Sequence, residues 1–208
     1  MLIFLLNLFV IFNVNAKTKI PTKVFELQAQ PQEEVPFIAH AEAKPMGSYL
    51  TMNLDYGPFK KIKEELEVTI GKKLKDRGEA HITIVSPLEY DRQLKKLIRI
   101  EAIQSIALLD HVQKSDLKFL CIGHGQILKQ GRKLDTYFVV VESKHLKQLR
   151  HKVLADFVKN GGNKNNFDAD LFFPHVTLGF TERDLHLEDG VKKDKKSCLY
   201  KIKLNDKK

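Results

Sequence analysis

The chain has 208 residues, of which 43% are hydrophobic and 29% charged, and its formal net charge is +9. This length suits one domain, or one domain built of two similar lobes, and the two cysteines show no clustering that would indicate a zinc ribbon or a haem attachment motif. The basic charge makes an anionic partner plausible, but it does not choose between nucleic acid, a membrane surface and a small phosphorylated substrate.

The first 16 residues have the features of an export signal. They form an apolar run, "MLIFLLNLFVIF", followed by "NVNA" with small side chains at Val14 and Ala16. The run is too short to span a bilayer comfortably, and no Lys or Arg precedes it. We predict a signal peptide over 1–16 that is cleaved after Ala16, with an uncleaved anchor or a buried first helix as alternatives. The protein would then be exported to a periplasm, a secretory-pathway lumen or the medium, without membrane insertion after cleavage.

Residues 17–47 contain several prolines and little periodicity, so we predict an irregular leader before a domain that spans 48–208. The first half of this domain alternates strands and helices: a strand over 48–56, a helix over 58–78, a strand over 79–87 and a helix over 91–112. Gly78 is expected to end the first helix, and Asp91 is expected to cap the second.

The second half repeats this order of elements. We predict a strand over 117–128 that leads into a glycine-broken connection, a strand over 136–143, a helix over 144–160, a strand over 172–180 and a last strand over 197–205. A strand, a helix and a histidine-bearing strand therefore occur in each half, over 48–86 and 136–180. This repeat predicts an α+β fold with two pseudo-symmetric lobes, each an antiparallel-type sheet with packed helices, around a central cleft.

The two histidine-bearing strands share a motif, "HITI" at 81–84 and "HVTL" at 175–178. Side chains alternate across a strand, so the histidine and the threonine of each motif point to one face, while the apolar residues point to the other. Two imidazoles can act as general base and general acid in one turnover, and two hydroxyls can bind the oxygens of a phosphate. The pattern therefore favours phosphodiester chemistry.

These paired His-x-Thr-x motifs, at a spacing of one per lobe, resemble the signature of the two-histidine phosphoesterase superfamily, which includes RNA ligase-like proteins and cyclic phosphodiesterases. The resemblance covers roughly 48–181. It implies that His81 and His175 are catalytic, that Thr83 and Thr177 bind the substrate phosphate, and that no cofactor or metal is needed. It also implies hydrolysis of an RNA or nucleotide substrate with a 2′,3′-cyclic or 2′–5′ phosphodiester. We expect the enzyme to be a monomer.

Other functions stay open at this point. A non-catalytic RNA or nucleotide binder, an RNA ligase or an exonuclease could use the same cleft, and two histidines could also ligate zinc with a carboxylate, although the motifs place threonines there. Which histidine is acid and which is base is open as well. Cys121 and Cys198 could pair in an exported protein, but the sequence slightly favours Cys121 as a small buried apolar residue.

The remaining candidates are weaker. His124 is expected in a loop or bulge, and the lysine-rich stretch 191–208 is expected to be a soluble tail or to steer a polyanion. Three aromatic residues could form a base-stacking surface but are expected in the core: Tyr49, Tyr137 and Phe173. Five further histidines are expected in exposed helical or linker positions: His40, His111, His145, His151 and His186.

Overall fold

The computed structural model describes residues 23–28 and 35–205. The predicted signal peptide, 1–16, lies outside the described residues. Residues 17–22 and 29–34 of the predicted leader also lie outside them. Among the described residues, none of the helices combines the length and the apolar character that a membrane crossing requires.

The elements follow the predicted order of strands and helices. The strands are β1 (Val24–Gln28), β2 (His40–Ala41), β3 (Ser48–Leu54), β4 (Ala80–Val85), β5 (Lys118–Lys129), β6 (Arg132–Glu142), β7 (His175–Phe180) and β8 (Cys198–Asn205). The helices are α1 (Tyr56–Ile70), the single turn α2 (Pro87–Glu89), α3 (Ile100–Leu109) and α4 (Lys144–Lys159).

The strands form two sheets. The larger has five strands in the order β1-β8-β5-β6-β7, and the smaller has three in the order β2-β3-β4. All pairings are antiparallel except that of β1 with β8, which is parallel. The predicted α+β class is confirmed. The equivalence of the two halves is limited to the units β3-α1-β4 and β6-α4-β7, because the sheets that contain them differ in size.

The predicted leader contains a strand, so the prediction of irregular structure over 17–47 is wrong at Val24–Gln28. The side chains of Phe25 and Leu27 are 0% and 2% exposed, and they pack in the main core. This strand could not be predicted from the local sequence, because β1 pairs with β8, the last strand of the chain. A partner so distant along the chain leaves no local pattern.

The first long helix ends earlier than predicted. Asp55 caps α1 by accepting a hydrogen bond from the Gly57 amide at 2.9 Å, and Gly71 ends it in the left-handed region at φ 66°. Beyond this point the Leu74 amide donates to the buried Glu67 carboxylate at 2.8 Å. Leu74 is therefore buried by a turn that folds back on the helix, and not by the helical continuation to Gly78 that its spacing predicts.

The helix predicted over 91–112 is two separate elements. Ser86 and Glu89 form a capping box that starts α2, and a short π-helix over Tyr90–Leu94 follows it directly. A non-helical segment over 95–99 then separates the π-helix from α3. Asp91 is not a helix cap, because its carboxylate accepts a hydrogen bond from the Met46 amide at 2.7 Å.

β5 continues through its glycines and forms a long hairpin with β6, so the predicted glycine-broken connection is wrong. Gly123 is required there because a Cβ atom would clash with the Phe138 ring. Cys121 of β5 is joined by a disulfide to Cys198 at the start of β8, and is not the unpaired apolar residue that the sequence slightly favours.

Candidate functional site

The first motif lies on the polar face of the smaller sheet. In the β3-β4 ladder, His81 is opposite Asn53 and Thr83 is opposite Thr51. The intervening residues of β4 point the other way, and Ile82 is 0% exposed in the core. The alternation predicted from the sequence therefore places His81 and Thr83 on one face.

The second motif lies on β7, the edge strand of the larger sheet. His175 and Thr177 are partly exposed, whereas Val176 and Leu178 are buried. β7 contacts β4, which is the edge strand of the smaller sheet. Both motifs therefore meet where the edges of the two sheets come together.

A pocket opens at this meeting point, and residues from both motifs line it. His81 comes from β4 and Thr177 comes from β7. The rest of the lining comes from the loop before β4 and from the end of β7 and the segment after it: Asp76, Arg77, Glu79, Phe180, Asp184 and His186. His175 and Thr83 are not part of this lining. The structure thus brings one residue of each motif to the pocket, and the other two lie two positions away on the same strands.

His81 is mostly buried, with 18% of its side chain exposed. Burial lowers its pKa, and the nearby Glu79 carboxylate opposes this effect. The Glu79 Oε1 atom lies 3.4 Å from Nδ1 of His81, so Glu79 would form an ion pair with a protonated ring. Nε2 of His81 has no hydrogen-bond partner among the described residues.

Both ring nitrogens of His175 contact other groups of the protein. Nδ1 lies 2.7 Å from the Phe173 carbonyl oxygen, and Nε2 lies 3.1 Å from Nζ of Lys193. Burial, with the Lys193 charge as the second cause, lowers the pKa of His175 to about 3. His175 is therefore neutral over the physiological pH range.

Asp184 connects these groups. Its carboxylate accepts hydrogen bonds from Lys193 at 2.9 and 3.1 Å, from the Thr136 hydroxyl at 2.6 Å and from the Thr177 hydroxyl at 3.1 Å. Burial alone would raise the pKa of Asp184, but Lys193 and the hydroxyl donors hold it below its usual range. An ionised Asp184 therefore fixes the orientation of the Thr177 hydroxyl, and both residues line the pocket.

Several site residues have no motif in the sequence. Lys193 belongs to the stretch predicted to be a soluble tail, yet it is 3% exposed. His186 is exposed as predicted, but it also lines the pocket. A clue to Asp184 and Lys193 would have been the short distance along the chain from the second motif.

Neither of two alternative types of site is present in the described residues. Ser115 Oγ lies 2.8 Å from Nδ1 of His145, and Nε2 of His145 lies 3.2 Å from Oδ2 of Asp110. Ser115 is 2% exposed, however, and its hydroxyl donates to the Val112 carbonyl, so no nucleophile is presented. Among residues 23–28 and 35–205, no group of three or more His, Cys, Asp or Glu side chains is arranged to hold a metal ion.

More than half of the chain matches a known protein family. A family model described as "Swiss Army Knife, 2H phosphoesterase domain" matches residues 48–186. The match includes both motifs, Arg77, Asp184 and His186, and it ends before Lys193. No curated protein matches the chain.

Proposed function

The chain belongs to the 2H phosphoesterase family, and on this premise we propose that it hydrolyses cyclic or 2′–5′ phosphodiesters of RNA ends or small nucleotides. The observation that carries the proposal is the contact between the two motif-bearing edge strands, which places His81 and Thr177 in one pocket. One proton donor or acceptor and one hydroxyl, from different halves of the chain, thus face the same space.

The proposed reaction needs two proton transfers. One neutral imidazole accepts a proton from water while the water oxygen attacks phosphorus, and the bond from phosphorus to the leaving oxygen breaks. The other histidine, as imidazolium, gives its proton to that oxygen. One water is consumed, and the two imidazoles return to their starting states by exchange with solvent. The Thr177 hydroxyl exchanges its hydrogen bond to Asp184 for one to a non-bridging oxygen, and the two histidines supply both proton transfers.

The position of Arg77 supports the proposal that the substrate is an anion. Its side chain is exposed and lines the pocket, and it forms no salt bridge with any residue of the described ranges. A guanidinium that no carboxylate neutralises is suited to bind phosphate oxygens in a bidentate manner. The formal net charge of +9 would also favour encounter with an anion.

A pair of stacked rings near the pocket supports the proposal that the substrate contains a nucleoside. The His40 and Tyr49 rings lie 4.1 Å apart with an interplanar angle of 14°, and both are partly exposed. The strand register puts Tyr49, Asn53 and the opposite His81 on the same sheet face. Tyr49, which the sequence predicts in the core, is thus available for stacking with a base. Tyr137 is 5% exposed and belongs to the core.

The Cys121–Cys198 disulfide supports the proposed export, because structural disulfides persist in oxidising compartments. With the predicted signal peptide over 1–16, it favours a substrate outside the cytoplasm. We propose a monomeric, exported enzyme.

The first test is turnover of a substrate panel in excess EDTA. The panel contains nucleoside 2′,3′-cyclic phosphates, a 2′–5′ dinucleotide and an oligonucleotide with a 3′ hydroxyl. His81→Ala and His175→Ala should each lower the rate on the order of 10²–10⁴-fold. His151→Ala, at an exposed position on α4, is the matched control and should be fully active. Loss of activity in EDTA would argue for a metal-dependent reaction instead.

A binding function without turnover is the second candidate, because both ring nitrogens of His175 are already engaged. In that case the panel members would bind to the protein without reaction, and His175→Ala would leave their affinity unchanged. Base recognition by Tyr49 is tested separately, by comparing Tyr49→Leu with Tyr49→Phe. Phenylalanine keeps a ring that can stack on a base, so only the leucine variant should bind nucleotides more weakly.

A further inference from the structure

Lys193 is a buried cation that the proposed reaction has not used. It lies outside the residues matched by the family model, and its side chain is 3% exposed. Its ammonium group has three hydrogen-bond partners: Nε2 of His175 at 3.1 Å, and the two Asp184 oxygens at 2.9 and 3.1 Å. All three N–H bonds of the ammonium are therefore used.

These contacts determine where the proton of His175 lies. An ammonium group has donors but no acceptor, so Nε2 must offer its lone pair to Lys193. The ring proton is then on Nδ1, which donates it to the Phe173 carbonyl at 2.7 Å. The two contacts agree on one neutral tautomer, with the basic nitrogen on the side of Lys193.

We propose that Lys193 is a positioning residue that holds His175 as the neutral Nδ1-H tautomer, which makes His175 the general base and His81 the general acid. The assignment rests on the proposed function. The acid role of His81 follows from Glu79, whose carboxylate lies 3.4 Å from Nδ1 and stabilises an imidazolium.

In this proposal the substrate complex exchanges one hydrogen bond. Nε2 of His175 gives up the Lys193 N–H and accepts the attacking water instead, while the ammonium keeps its two bonds to Asp184. The released N–H is then directed to a non-bridging phosphate oxygen. Lys193 stays protonated throughout, so the proton balance of the hydrolysis is unchanged.

The charged groups around His175 are Lys193, Asp184 and His186. Burial and the Lys193 charge lower the pKa of His175 most strongly, the Phe173 carbonyl and Asp184 oppose them, and His186 also lowers it. Activity requires an unprotonated base, so the acid limb of the pH–rate profile should lie at low pH. Removal of the lysine charge should raise the pKa of His175 and move that limb to higher pH.

The deciding experiment is NMR of the full chain labelled with ¹⁵N in its histidines, which reads the tautomer without any substrate. Wild-type His175 should show the Nδ1-H tautomer and should stay neutral when the pH is lowered to about 5, well below the ordinary histidine pKa. In Lys193→Met, the Phe173 carbonyl still accepts the Nδ1 proton, so the tautomer should persist while His175 titrates at least about one pH unit higher than in the wild type. His151 on the exposed side of α4 serves as the internal reference.

Lys193→Gln separates the hydrogen bond from the charge, and it also serves if the methionine variant does not fold. The amide can still donate to Nε2, so the tautomer should persist while the titration moves upward. An Nε2-H tautomer in the wild type, or an unchanged His175 titration in both variants, would overturn the proposal. These spectra are independent of turnover, so an inactive protein with the expected tautomer would refute only the proposed function.

Discussion

Arg150 of α4 forms hydrogen bonds with β4 and with the segment that precedes β7. Its replacement by methionine should destabilise the whole domain. Its side chain is 1% exposed. The guanidinium donates to the Ile84 carbonyl of β4 at 2.6 Å, to the Glu89 carboxylate at 2.8 Å, and to two carbonyls of the segment before β7, at Asp168 and Ala169. One buried side chain thus ties β4 to the chain that leads into β7.

The expected cost follows from what methionine leaves behind. Removal of one partner of a buried ion pair costs about 3–5 kcal/mol, because the remaining polar groups are left uncompensated. The upper part of this range would apply if water reached none of the carbonyl and carboxylate oxygens that Arg150 binds. Glu89 keeps its capping box with Ser86, and the methionine stem can still pack against Phe167, which moderates the loss.

The measurement is urea denaturation followed by circular dichroism, with Arg132→Met as the matched control. Arg132 also forms a salt bridge, with Glu182, but its side chain is 67% exposed, so its loss should cost less than about 1 kcal/mol. Arg150→Lys should be intermediate, because lysine keeps the charge but lacks the planar fork. If Arg150→Met lost no more stability than the surface control, the reasoning from burial would be wrong.

Three further predictions concern the disulfide, the pocket cation and acid stability. Reduction of Cys121–Cys198, which are 77 residues apart, should cost about 4.5 kcal/mol in the chain-entropy estimate, read as a lower melting temperature. The double serine variant should not respond to reductant, and an equal response would point to another cause. Arg77→Gln should raise the KM for an anionic substrate about tenfold or more with a smaller change in kcat, and an unchanged KM would remove Arg77 from phosphate binding. His175 has a lowered pKa in the folded protein, so the unfolded chain binds more protons and stability should fall as the pH drops below about 6.5. His175→Gln should lose less stability over that pH range in urea titrations, and a parallel loss would contradict the assignment.

The sequence was sufficient where function depends on local periodicity. The alternation in "HITI" and "HVTL" predicts which side chains face the core, and the burial of Ile82 and Val176 agrees with it. The repeated strand-helix-strand order also predicts the two equivalent units, because strands β3 and β4, like β6 and β7, are joined by one helix and pair directly.

Prediction from the sequence failed where partners are distant. Val24–Gln28 becomes a strand only because β8 provides an edge. Lys193 is in a stretch that is rich in lysine, and nothing local distinguishes the buried lysine from Lys192, which is exposed. Its burial depends on Asp184, which neutralises the charge, and on the Phe138 ring, whose centroid lies 5.3 Å from Nζ.

The two motifs are alike in sequence, but acid–base catalysis requires that their histidines differ in protonation at the same moment. The difference arises in the segments that flank the repeat. The loop before β4 places the Glu79 carboxylate beside His81, whereas the chain after β7 returns to place the Lys193 ammonium beside His175. A carboxylate stabilises an imidazolium and an ammonium disfavours one, so in the proposed reaction opposite neighbours would give opposite roles to equivalent residues. A symmetric pair of strands can therefore support a directional reaction, because its asymmetry comes from the residues around the motifs.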